Sequence, residues 1–429
     1  MISMVSYEKM TNEERAQELC LVNAALDEWK SKGLMLNMAR GKPGSDQLDA
    51  VSDMLTVLDS KELCKIDGID TRNYGELAGI PAARAFWADI LGCKPGEVFV
   101  GGSSSLNLMY DIIARAYTHG LLHSPKPWCK LDKVKFLCPA PGYDRHFRIT
   151  EFFGFELLTV PMTAEGPDMD VVEELVKDEA VKGIWCVPKY SNPDGIIYSE
   201  TVMRRMAALK PAAPDFVIMW DNAYCIHEFD GPYVPFPDIL TYCREAGSPD
   251  MVVEFASTSK LTFPGAGISC FAASEANQKY LQKQFGVQMI SADKVNQLRH
   301  VLYMKNKAHT LEIAAIHGAI LRPKFRLVLD RMEEELAPRG LGTWTKPTGG
   351  YFISYFAPKG TAKYALSLAQ EAGLVMTGAG ATYPYGIDPD DSNIRIAPSL
   401  PPVEELDKAM SVFCLCIRKA ALEKLLAEK

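Results

Sequence analysis

The sequence predicts an α/β protein of two domains. A large domain rests on a mainly parallel seven-stranded sheet covered by helices, and a smaller domain is α+β. Three observations predict this. At 429 residues the chain exceeds the size at which one hydrophobic core keeps growing. Between Val98 and Ala272 short apolar runs alternate with helical patterns, as in parallel sheets buried on both faces. After the Arg322-Pro323 step the pattern changes to charged helices with isolated short strands. The divisions read as 1–45, an N-terminal helix and arm that contribute to the small domain, then 46–321 and 322–429.

Thr11–Lys32 carries Leu19, Val22, Leu26 and Trp29 at helical spacing, with Gly33 as the stop. The stretch from Asn37 to Gly44 contains glycine and proline; it reads equally as a link to the main body or as the lining of a site entrance. Pro81 opens a helix to Leu91, at a position where its missing N–H costs nothing. The strand Val98–Val100 runs into Gly101-Gly102-Ser103-Ser104-Ser105, and a helix follows from Leu106 to Tyr117. Glycines and hydroxyls at that junction suit either an anion site or simple capping by serine. Further strands are expected at Val134–Cys138, Glu156–Val160, Gly183–Val187, Phe216–Trp220, Met251–Phe255 and Ile268–Ala272. Helices are expected at Tyr143–Glu151, Asp168–Lys177 and Ser199–Leu209. One long helix, Asp293–Leu321, is expected to break at Arg322-Pro323. The last part reads as the helix Leu327–Leu336, the segment Thr348-Gly349-Gly350-Tyr351-Phe352, the helix Ala362–Ala372, strands Leu374–Met376 and Asn393–Ala397, and a closing helix Val403–Leu425.

The formal net charge of −8 argues against nucleic acid as the main partner. Eleven cysteines are dispersed without a CxxC pair, which reads as free thiols in a reducing compartment. Met1–Lys30 lacks the continuous apolar core of a signal peptide, and no apolar run reaches the about 18 residues of a membrane span. A soluble cytoplasmic protein is expected.

Candidate chemistry collects just beyond strand ends, where open α/β sheets bind ligands. Ser257-Thr258-Ser259-Lys260 follows the run Met251–Ala256 and precedes Pro264-Gly265-Ala266-Gly267. A lysine at a sheet mouth can be kept as the neutral amine that condenses with an aldehyde; it can equally be a solvated turn. Asp221 follows Phe216–Trp220, so its carboxylate either needs a cationic partner or caps the next segment. Asn192-Pro193-Asp194-Gly195 is also a turn sequence, and Tyr224 also suits a core. Arg395 on an apolar strand needs an anionic partner, which is either a ligand carboxylate or a structural salt bridge.

Taken in order, Asn192-Pro193-Asp194-Gly195, Asp221-x-x-Tyr224, Ser257-x-Ser259-Lys260 and Arg395 resemble the class I aminotransferases of fold type I, which use pyridoxal 5'-phosphate (PLP). The resemblance spans Arg40 to Arg395. The Asn37–Leu48 segment, the triple serine and the Asp293–His300 segment are similar to subgroup Ic of bacterial aspartate aminotransferases. The resemblance implies that Lys260 holds the cofactor aldehyde and moves the substrate proton, and that Asp221 pairs with the ring nitrogen. Asn192 and Tyr224 are implied to bond the ring oxygen, and Tyr143 to cover the ring face. Gly102, Ser103, Ser104, Ser105, Ser257 and Ser259 are implied to hold the phosphate, with Tyr74 reaching across from a neighbouring subunit of a homodimer. Arg395, Asn192, Gly41, Arg40 and Lys294 are implied substrate contacts; Arg299 and Arg145 are further candidates for a distal carboxylate. The implied reaction moves an amino group from an L-amino acid, aspartate foremost, to 2-oxoglutarate; an aromatic or alanine aminotransferase and a β-lyase are the alternatives. One departure stands out: the phosphate-binding arginine that many relatives carry eight residues after the lysine is Ile268 here.

Overall fold

The computed structural model describes residues 5–428, so residues 1–4 and 429, at the outer edges of the expected first and last segments, lie outside the described residues. Its large sheet contains β1 (Val98–Val100), β2 (Lys135–Ala140), β3 (Glu156–Thr163), β4 (Gly166–Pro167), β5 (Val181–Cys186), β6 (Val217–Asp221), β7 (Val252–Ser257) and β8 (Ser269–Ala273). Their spatial order is β1-β8-β7-β6-β5-β2-β3-β4. The neighbours from β7 through β6, β5 and β2 to β3 are parallel, and β8 is antiparallel to both β7 and β1. The sheet therefore has eight strands rather than seven. The extra one, β4, is a two-residue edge strand paired with Met162 and Thr163; it is too short to show a pattern, and its proline confines it to an edge.

Successive residues of the central strands face opposite sides, as a period of two requires. Ile184, Ile218 and Ala256 pack with Ile80, Phe86 and Met206 on one face; Trp185, Met219 and Phe255 pack with Ile112, Phe147 and Phe285 on the other. The strands are thus buried on both faces, which is why they read as continuous apolar runs. Gly183 is forced by this packing, since a Cβ there would lie 2.6 Å from the Phe136 ring and the Val217 carbonyl oxygen.

A third core lies outside the sheet. Tyr7, Val22, Leu26, Leu36 and Met38 pack with Phe325, Met332, Ile353, Leu406 and Phe413. Helix α1 (Asn12–Ser31) begins with a capping box between Thr11 and Glu14. Leu36–Asn37 then pairs in parallel with Leu374–Val375. Three antiparallel strands, β9 (Thr343–Trp344), β10 (Ile353–Phe356) and β11 (Asn393–Ile396), complete this part.

The expected helix Asp293–Leu321 is two helices, and its expected stop at Arg322-Pro323 is not a stop. Lys294–Met304 ends at Lys305, whose φ is +59°, and Asn306 caps a new helix by accepting from the His309 N–H at 3.0 Å. That helix, Lys307–Glu335, runs through Pro323. Phe325, Val328 and Met332 are fully buried just beyond the proline, and their packing outweighs the backbone hydrogen bond it removes. It enters the first core through Ile313 and Ala314 and the third through Leu321 and Phe325, so the expected division at 321/322 falls within one continuous helix.

The arm that leads to the site is held by a buried charge network. Glu18 accepts from the Tyr7 hydroxyl at 2.8 Å and from Arg418 Nη2 at 2.7 Å, with Arg339 close by. Burial pushes the Glu18 carboxyl up, but the Tyr7 hydroxyl, Arg418 and Arg339 outweigh it and hold the pKa below its ordinary value. A depressed folded pKa contributes stability that is present above the unfolded value and is lost as pH falls through the folded one. Glu18→Gln is therefore expected to cost about 2–3 kcal/mol at neutral pH by leaving two arginines short of charge. In denaturant titrations the gap to wild type should close as the solution is acidified below about pH 4; a gap independent of pH would assign the loss to packing alone.

Among the described residues no helix is long and apolar enough to cross a membrane, and no cluster of His, Cys, Asp and Glu is arranged to hold a metal ion.

Candidate active site

The carboxyl ends of β1, β2, β5, β6 and β7 open into one cavity of about 580 Å³, a size suited to a small cofactor plus substrate. Each strand delivers its chemistry in the turn that follows. After β1 come Ser103, Ser104 and Ser105; after β2, Tyr143; after β5, Asn192; at and after β6, Asp221 and Tyr224; at and after β7, Ser257, Ser259 and Lys260. Arg40, Gly41 and Lys42 of the arm, and Phe352, Thr377 and Arg395 from the outer part, close the other side.

Lys260 is half-buried beside aromatic rings, its Nζ 5.8 Å from the Tyr224 ring centroid and 5.4 Å from that of Tyr351. Burial pulls its pKa below the ordinary lysine value, with the Asp221 charge opposing. A solvated turn would leave it unshifted; this environment favours the neutral, nucleophilic amine. Its backbone is held as well. Tyr351 Oη donates to the Lys260 carbonyl oxygen at 3.2 Å, and Gln47 Nε2 donates to Tyr351 Oη at 2.8 Å.

Asp221 is the last residue of β6 and does not cap a helix. Its Oδ2 pairs with His146 Nε2 at 2.9 Å, and both side chains are almost fully buried. The His146 ring stacks on Trp185 at 4.4 Å between centroids and meets Tyr143 edge-on at 4.9 Å. Asp221 Oδ1 is buried with no hydrogen-bond partner. A buried carboxylate oxygen left so is costly, and the ring N–H of a pyridinium would satisfy it. Burial, reinforced by Asp221, pushes the Tyr143 hydroxyl up to about 12, and burial raises that of Tyr224 as well. Both stay neutral hydrogen-bonding groups at physiological pH.

At the serine loop, Ser104 stands at the cap position of the helix Ser105–Thr118, yet its hydroxyl makes no capping bond. The Asn107 N–H donates to the Ser104 carbonyl oxygen at 3.2 Å, while the earlier N–H groups of the turn and the dipole's positive end are left for an anion. Ser257 Oγ and Ser259 Oγ lie 2.9 Å apart on the facing loop. Gly102 is just outside the lining; its carbonyl oxygen accepts from Ser269 N and Oγ, fixing the loop. The residues present therefore fit PLP at three points: amine, ring partner and phosphate cradle.

Arg395, on β11, donates from Nη1 to Asn192 Oδ1 at 3.2 Å and lies with its guanidinium 4.8 Å from the Phe352 ring centroid. Gly41 packs on the same ring, where a Cβ would lie 2.7 Å from Phe352. Arg395 also forms an ion pair with Asp144 at 2.9 Å. Of the candidates for a second carboxylate, Arg40 and Arg145 line the cavity, whereas Lys294 and Arg299 sit outside the lining. Lys294 is instead 3% exposed at the first turn of its helix. Tyr74 is 81% exposed and away from this chain's cavity. Ile268 is packed in the core and does not line the cavity. His146, Asp144, Thr377 and Gln47 are site residues that the sequence reading does not find. For His146 the available signal was a polar ring on an otherwise apolar helix face, with Ile149 and Thr150 buried beside it.

A family profile described as aspartate amino-transferase matches residues 10–429. The chain is 46% identical over 402 residues to an aspartate aminotransferase of Corynebacterium glutamicum, covering 94% of this chain and 93% of that one. The crystal structure of an aspartate transaminase from Corynebacterium glutamicum superposes with a TM-score of 0.96 at 45% identity, covering 98% of this chain and 100% of that chain. A Thermus thermophilus α-aminoadipate aminotransferase complexed with N-(5'-phosphopyridoxyl)-L-leucine has the same fold, with a TM-score of 0.73 at 22% identity over 91% of this chain and 93% of that chain. With a carboxylate-paired histidine, a half-buried lysine and a serine cradle arranged around one cavity, and with these similarities along its length, the chain belongs to the aspartate aminotransferase family.

Proposed function

We propose that this protein is a PLP-dependent aminotransferase that moves the amino group of L-aspartate to 2-oxoglutarate, working as a cytoplasmic homodimer. The observation that carries the reading is the convergence of the buried amine of Lys260, the carboxylate of Asp221 and the guanidinium of Arg395 on one cavity. Bound PLP supplies an aldehyde and an electron-withdrawing ring. The residues do the rest. Asp221, oriented by His146, keeps negative charge at the ring nitrogen. Asn192 and Tyr224 present neutral hydrogen-bonding groups, and Tyr143 closes one side. The serines and the helix N-terminus take the phosphate in place of the arginine that Ile268 replaces. Arg395 would clamp the α-carboxylate, fixing the substrate so that the Lys260 amine can take and hold the proton from its α-carbon.

Formal charges around the cavity favour a substrate with two carboxylates. Arg40, Lys42, Arg145 and Arg395 face only Asp144 and Asp221, and Lys260 is held toward the neutral amine. Arg40 and Arg145 are the proposed partners of the distal carboxylate. The exposed ring of Tyr74 supports a role at a neighbouring subunit's phosphate.

An amino-donor panel with 2-oxoglutarate tests the reading. L-Aspartate is expected to give a kcat/KM at least about tenfold above alanine and phenylalanine, because these lack the second charged contact. A higher value for an aromatic donor or for alanine would assign that specificity instead, and pyruvate release from a cysteine conjugate that outpaces transamination would assign a β-lyase.

A further inference from the structure

The guanidinium of Arg395 already holds a carboxylate belonging to the chain. Its Nη1 donates to Asp144 Oδ1 at 2.9 Å as well as to Asn192 Oδ1, and its Nη2 donates to Thr377 Oγ1 at 3.3 Å. The Arg395 side chain is 6% exposed and that of Asp144 25%, so the pair is screened far less than one on the surface. Asp144 is also the first residue of the helix Asp144–Phe152. The positive end of that helix stabilises its charge whether or not Arg395 is beside it. The pairing is therefore separable: Asp144 can leave Arg395 and remain at the cavity mouth, at the start of its helix.

We propose that Asp144 is a resident competitor whose carboxylate occupies Arg395 until a substrate carboxylate displaces it. This rests on the reading of Arg395 as the α-carboxylate clamp. A planar ligand carboxylate can make two parallel hydrogen bonds to a guanidinium, whereas a point anion such as chloride makes a single contact. Asp144 itself makes one contact to the guanidinium, so a ligand carboxylate bound at two points gains more than the displaced pair gives up. The competitor thus lowers affinity for every anion that must take its place at Arg395.

Calorimetric titration of the PLP-loaded enzyme with succinate, beside inhibition by chloride, tests this. Asp144→Asn keeps the shape and removes the charge; it is expected to lower the Kd for succinate about tenfold and to make chloride a correspondingly stronger inhibitor. Asp144→Ser, which also suits a helix start, should show the same gain, and Asp144→Glu, which keeps the charge, should stay within about twofold of wild type. A damaged fold would weaken binding, so a gain cannot come from that source. Succinate binding unchanged or weaker in both neutral variants overturns the proposal, as does an equal gain in Asp144→Glu. Arg395→Lys separates the two layers. Weaker succinate binding there, without a gain at Asp144, refutes the competitor alone; unchanged binding in Arg395→Lys refutes the clamp on which it rests.

Discussion

Lys260→Ala is expected to lower kcat by at least about 10⁵-fold, equivalent to about 7 kcal/mol of barrier. The amine has two tasks in the proposed reaction, and no neighbour can take over either. Within the cavity the other cations are Arg40, Lys42, Arg145 and Arg395. A guanidinium group does not serve as a base or a nucleophile, and Lys42 is an exposed residue of the arm. The variant should fold, because it removes a buried group whose charged form is disfavoured there. It should also lose the visible absorption of the loaded enzyme while keeping its circular dichroism. Turnover within about a hundredfold of wild type would remove Lys260 from the chemistry.

Asp221→Asn should cost about 10³-fold in kcat, near 4 kcal/mol, with KM for L-aspartate changed far less. The amide keeps the size of the side chain and an oxygen for His146, but it removes the charge at the end of β6. Two consequences follow, of which the first dominates. The ring nitrogen loses its anionic partner, and the Lys260 pKa falls further because the Asp221 charge is what holds it up. Asp221→Glu restores the charge at a displaced position, so a partial recovery of kcat is expected. Equal losses in the Asn and Glu variants would mean that placement rather than charge is the requirement.

How much of this was legible in the sequence depended on distance along the chain. Residues directly after an apolar strand could be found from local pattern, because a parallel sheet places every such turn at the same edge; Asn192, Asp221 and Lys260 were legible for that reason. Partners contributed from elsewhere were not. His146 and Asp221 are 75 positions apart, and Gln47 reaches Tyr351 across 304; no local period encodes either meeting. Arg395 was legible as an arginine in need of an anion, but not that Asp144 supplies one. Helix boundaries failed where a side chain outvoted a backbone rule, as when Asn306 capped a new helix and packing carried another through Pro323. The helix Glu275–Gln288 escaped notice because two of its four buried residues are the polar Asn277 and Gln278.

The tether from Tyr351 to the peptide oxygen of Lys260 has a consequence for dissection of the protein. A fragment trimmed to the eight-stranded sheet and its flanking helices would retain the amine, its acidic neighbour and the hydroxyl loop, and so look complete on paper. It would have lost both the guanidinium and the phenol that steadies the lysine's own main chain. The catalytic apparatus is therefore not modular: it exists only where the two ends of the polypeptide come together over the middle.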